Sequence, residues 1–142
     1  MSKILLVVDN SNIYVQTKMN YGPNARFSYP NFLEDFCGND DIVAKQITGS
    51  KPPANDAFWE KMKRDKWDVF THKLKEFYDE EDDEIKRKEK IVDTSIVANA
   101  LEALIDLKPD TLLLFSGDLD MMPLVDVAKK RSCNVSHSFT IN

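Results

Sequence analysis

Five short runs of β-branched and aliphatic residues punctuate the chain: Lys3–Asp9, Ile42–Thr48, Trp67–Lys73, Thr111–Ser116 and Asn134–Thr140. The first and fourth, ILLVV and TLLLF, are continuously apolar, as central strands covered on both faces must be. The other three are mixed and are expected nearer the sheet edges. Helical patterns fill the intervals. Asn12–Asn20 follows an Asn10-Ser11 capping signal, Pro30–Phe36 groups Phe32, Leu33 and Phe36, and Ala54–Lys66 carries Phe58, Trp59 and Met62. Thr94–Leu107 repeats Ile96, Val97, Ala100, Leu101, Leu104 and Ile105 at a helical period. Leu119–Arg131 does so through Met122, Leu124, Val125 and Ala128, and ends on Lys129, Lys130 and Arg131, which suit the negative end of a helix. Tyr21–Tyr29, with Gly22-Pro23-Asn24, and Asp79–Lys90, acidic first and then basic, read as mobile loops. Alternating strands and helices predict an α/β fold in one domain, a doubly wound, Rossmann-like parallel sheet of five strands.

Composition narrows the class. The 142 residues suffice for one hydrophobic core, and 42% hydrophobic with 30% charged residues is ordinary for a globular chain. No apolar stretch approaches the roughly 20 residues needed to cross a bilayer. The apolar start is cut short by Asp9 and is read as a strand, not a secretory leader. Cys37 and Cys133 stand alone, without metal-binding or redox spacing, and are expected as buried thiols in a reducing cytoplasm. A net charge of −5 argues against a passive nucleic-acid-binding module, yet suits a site built from carboxylates.

The sheet topology dictates where those carboxylates go. In a doubly wound sheet the C-terminal strand ends and the starts of the following helices share one edge, where ligands bind. Asp9 ends the first run, and Asp118 and Asp120 leave the fourth within Ser116-Gly117-Asp118-Leu119-Asp120. Asp93 is expected to open the helix between the third and fourth strands. Right-handed crossovers bring all four to that edge, and a strand order of 3-2-1-4-5 makes the first and fourth strands neighbours. Each of Asp93, Asp118 and Asp120 also suits a helix N-terminus, where it would only cap. Asp9 closes a buried apolar strand and caps nothing obvious. Acids crowded in this way repel one another unless a cation neutralises them, and hard divalent ions prefer oxygen ligands.

In Asp9-Asn10-Ser11-Asn12, Lys90-Ile91-Val92-Asp93 and Ser116-Gly117-Asp118-Leu119-Asp120-Met121-Met122-Pro123-Leu124, the chain resembles the NYN domains, PIN-like proteins of the LabA kind. Order and spacing agree over nearly the whole chain, including a Pro52-Pro53 loop after the second strand. The departures are Asn10 and Ile91 in place of glycine, Leu119 in place of serine and Met121 in place of phenylalanine. The resemblance implies a ribonuclease dependent on Mg²⁺ or Mn²⁺, with Asp9, Asp93 and Asp118 as metal ligands and Asp120 acting through water. Asn12, Lys90 and Ser116 are the candidates for holding substrate or orienting the acids, and RNA is the implied partner. A homo-oligomer is compatible with the sequence and a membrane partner is not.

Rival motifs fail on single residues. A receiver domain needs its Lys-Pro pair after the fifth strand, whereas Lys108-Pro109 precedes the fourth; no aspartate ends the third. A haloacid-dehalogenase phosphatase needs an aspartate where Ser11 stands, and an integrin-type metal site needs serine at Ile13. The remaining alternative is a non-catalytic module of the same fold that binds metal or a small ligand. His72, His137, Trp59, Trp67 and Phe58 are read as structural.

Overall fold

The computed structural model describes residues 3–25, 27–37, 41–51, 57–73, 81–116 and 119–138. The strands are β1 (Lys3–Asp9), β2 (Asp41–Lys51), β3 (Asp68–Lys73), β4 (Thr111–Phe115) and β5 (Asn134–Ser138). The helices are α1 (Asn10–Tyr21), α2 (Tyr29–Cys37), α3 (Ala57–Arg64), α4 (Glu81–Leu107) and α5 (Met122–Lys130), with a 3₁₀ turn at Leu119–Met121. All four ladders are parallel and the order is β3-β2-β1-β4-β5, as the alternation of strands and helices requires.

The residue parity of β1 divides the core into two layers, because successive side chains of a strand point to opposite faces. Leu5 and Val7 pack with Leu112 and Leu114 of β4 beneath α4 and α5, through Val92, Ile96, Ala100, Leu124 and Val125. Leu6 and Val8 pack on the other face with Ile13 of α1, Phe32 of α2, and Trp59 and Met62 of α3. Ile4–Val8 are all buried, which is why this strand carries no polar residue between the exposed Lys3 and Asp9. An aromatic cluster braces the second layer: Phe32 meets Phe115 edge-on at 4.6 Å, and Tyr29 meets Trp67 at 5.4 Å. Trp59 and Trp67 are therefore core residues, as expected, and the Cys133 thiol is free and buried. Among the described residues, no helix is long and apolar enough to cross a membrane.

Two expected boundaries are corrected. The segment read as a loop up to Lys90 is helical from Glu81, so Asp93 lies well inside α4 instead of opening it. The physical reason is present in the sequence: acids at the first turn favour the helix dipole, and Asp82/Lys86, Asp83/Arg87 and Glu84/Lys88 stand at the i,i+4 spacing of attractive pairs. The last helix begins at Met122, not Leu119. Pro123 occupies its first turn, where a missing N–H costs nothing, and the cap residue Met121 makes no side-chain capping bond.

Gly49 permits the closest approach in the second layer. A Cβ there would lie 3.0 Å from Trp59 Cη2 and 3.3 Å from the Asn10 Cβ. Gly49→Val should lower stability by about 1–3 kcal/mol through overpacking. Leu114→Ala in the opposite layer should lower it by about 2–5 kcal/mol through an unfilled cavity. Urea unfolding midpoints at unchanged slope check both.

Candidate metal and active site

Asp9 is the last residue of β1 and only 5% exposed. Its parity is that of Leu5 and Val7, so it faces the α4 and α5 layer. β1 and β4 run in register from Ile4 with Thr111 to Val8 with Phe115; one step further sets Asp9 beside Ser116. The fully buried Ser116 hydroxyl donates to Asp9 Oδ2 at 3.2 Å, a bond between residues far apart in sequence. The carboxylate that Ser116 contacts is thus that of Asp9, whereas its place in the last motif had suggested Asp118, which lies outside the described residues.

On the other side of Asp9 the partner in register is Thr48 of β2, which is also fully buried. Paired residues of a parallel ladder share a face, so Thr48 stands with Asp9 toward α4. Sequence reasoning did not single out Thr48, because a threonine closing a mixed strand reads first as a β-former. The available signal was its place at the C-terminal end of the second run, on the edge already assigned to the acids.

Asp93 is carried by α4, which packs over β1 and β2 and touches the 3₁₀ turn after β4. Its neighbours Val92 and Ile96 are buried against the sheet, and Asp93 itself is half-buried at the margin of that face. Asp93 lies inside α4 and is not its N-cap. Asp120 lies on the 3₁₀ turn with an exposed side chain. Asp118 lies outside the described residues. Asn12 is in the first turn of α1, and Lys90 is one turn before Asp93 in α4, but both side chains lie outside the described residues. Among the described residues, no group of three or more His, Cys, Asp or Glu side chains is arranged to hold a metal ion. The structure thus joins Asp9 to Ser116 and sets α4 over the same face.

Tyr29, another residue the sequence did not flag, stands behind Asn10. Its hydroxyl donates to Asn10 Oδ1 at 2.8 Å, bracing the residue next to Asp9. Burial pushes the Tyr29 phenol far above its ordinary value, and the negative charge of Asp9 adds to the shift. Since the folded state holds this proton more tightly, raising the pH through the unfolded phenol value of about 10 must erode stability, by about 1.4 kcal/mol per pH unit. Tyr29→Phe should flatten that slope above pH 10, as measured by thermal unfolding across pH against the wild type.

The chain matches the model of the NYN domain over residues 3–140. No curated protein matches it. A crystal structure of a protein of unknown function from Vibrio parahaemolyticus RIMD 2210633 is similar, with a TM-score of 0.68 at 22% identity, covering 96% of this chain and 80% of that one. That likeness carries the fold alone. The family match extends over nearly the whole domain and includes each strand end described above. The chain belongs to the NYN domain family, whose fold is that of the PIN-like nucleases.

Proposed function

We propose that this protein is a divalent-metal-dependent ribonuclease whose site is built on Asp9, Asp93 and Asp118. The observation that carries the reading is the Asp9 carboxylate: buried at the end of the central strand, gripped by Ser116 and turned toward the layer that contains Asp93. A desolvated carboxylate is costly unless a positive charge faces it. The donor set is hard oxygen throughout, which fits Mg²⁺ or Mn²⁺ and does not fit a softer ion. When bound, such an ion polarises a phosphodiester and lowers the pKa of a bound water.

The remaining chemistry belongs to the chain's own residues. Ser116 fixes one Asp9 oxygen. Asp93 and Asp118 complete the acidic set, and Asp120, exposed on its turn, serves as an outer acid acting through water. Asn12, one turn along α1, and Lys90, one turn before Asp93, supply polar and cationic groups for the RNA backbone, which pays for its own approach to an acidic protein only if cations screen it. A family of nuclease fold and an oxygen-rich edge both support RNA as the substrate.

In a cleavage assay on single-stranded and structured RNA with Mn²⁺, the wild type should degrade substrate. Asp9→Asn and Asp118→Asn should each lose about 10²–10³ in rate, the usual cost of removing one electrostatic group from a site. Metal binding should also register without RNA. At a hundredfold excess over the dissociation constant, Mn²⁺ should stabilise the wild type by about 2.7 kcal/mol and leave Asp9→Asn unchanged. Metal stabilisation without cleavage would identify a binding module and contradict the nuclease reading.

A further inference from the structure

A second feature opens on the other face of the sheet, one residue from Asp9. Positions 10, 13, 14, 17 and 18 of α1 form a single stripe at i, i+3, i+4, i+7 and i+8. Over most of that stripe a helix of this kind would be apolar. Here it includes Asn10, Thr17 and Lys18, and beside the core contact of Ile13 it lines a cavity of about 460 Å³ flanked by Ala25, Phe27, Tyr29 and Phe58. That volume is within the range of small-molecule sites, about 300–1,000 Å³.

Three properties of the cavity agree on one kind of ligand. Its walls are aromatic and set at steep angles: Phe27 and Tyr29 meet at 75° with centroids 4.8 Å apart, and Tyr29 meets Phe58 at 47°. Tyr14, 62% exposed, stands at the rim with the Lys18 ammonium 5.4 Å from its ring centroid. Thr17 is only 5% exposed, and among the described residues its hydroxyl is buried without a hydrogen-bond partner. Thr17 lines the cavity while its hydroxyl oxygen lies behind the wall, and buried hydroxyls are nearly always satisfied, so this one stands out. Threonine in a helix divides between two χ1 wells, so rotation exchanges its methyl for its hydroxyl at the wall.

We infer that this cavity is a nucleobase pocket, in which one base of the RNA stacks against the aromatic wall and takes a hydrogen bond from Thr17. A flat ring with a polar edge satisfies both the aromatic surfaces and the orphan hydroxyl, which a purely aliphatic ligand does not. Lys18, already held by the Ala25 carbonyl at 2.6 Å, places a cation at the rim where a base's sugar and phosphate would emerge. Asn10 lines the cavity and directly follows Asp9, so the cavity adjoins the carboxylate edge. The inference rests on the ribonuclease reading for its biological substrate, but the pocket itself is testable without cleavage.

The test is a titration of the ¹⁵N-labelled full chain, free of divalent metal, with adenosine, guanosine, cytidine and uridine 5′-monophosphates and with ribose 5-phosphate. At least one nucleotide should shift the amides of Thr17, Ala25 and Phe27 in a saturable way while ribose 5-phosphate does not. Thr17→Val, which keeps the shape and removes the hydroxyl, should weaken that nucleotide about fivefold. Tyr14→Ala, at an exposed position where folding is not at stake, should weaken it about tenfold. In the cleavage assay both variants should raise KM and leave kcat largely intact. Nucleotide binding with no RNA cleavage would uphold the pocket and overturn only the nuclease reading. No shift with any nucleotide, equal shifts with ribose 5-phosphate, or variants with unchanged affinity would overturn the pocket.

Discussion

One desolvated carboxylate organises this molecule. Asp9 stands where the most buried strand of the sheet meets its first helix, with apolar layers on both faces and a serine hydroxyl on one oxygen. The two layers are what make the position demanding. Leu5 and Val7 on one side, and Leu6 and Val8 on the other, exclude the water that would otherwise solvate the charge. A strand built in this way can end on an aspartate only if the fold supplies compensation, and β2 and β4 each bring a hydroxyl-bearing residue, Thr48 and Ser116, to its flanks.

Much of this arrangement was legible in the sequence, for identifiable reasons. The runs ILLVV and TLLLF could only be central strands, so Asp9 and Ser116 had to be neighbours once the two strands were adjacent. Parallel pairing followed from the alternation of elements and the handedness of crossovers, and the observed order agrees with the 3-2-1-4-5 expected. The acids of the last motif were visible as a pattern, though Asp118 itself lies outside the described residues.

What escaped the sequence reading escaped for physical reasons. Apolar periodicity is silent where a helix projects beyond the core, so the charged first turns of α4 looked like a loop although their charge order favours a helix. Thr48 was hidden because β-branched residues are expected in strands regardless of function. Tyr29 and Thr17 were hidden because their meaning depends on contacts between elements: a phenol behind Asn10 and a hydroxyl with no partner among the described residues. The two faces of the sheet thus carry different parts of the proposed chemistry. The Asp9 carboxylate faces α4, the aromatic cavity lies against α1 to α3, and the Asp9-Asn10 junction joins them.

The central claim is that Asp9 shares a cation with Asp93 and Asp118. Anomalous scattering from crystals grown with Mn²⁺ tests it most directly. The account predicts one strong peak within about 2.0–2.6 Å of carboxylate oxygens from Asp9 and at least one of the other two. A peak elsewhere, or Asp9 coordinated by neither partner at saturating Mn²⁺, would contradict it.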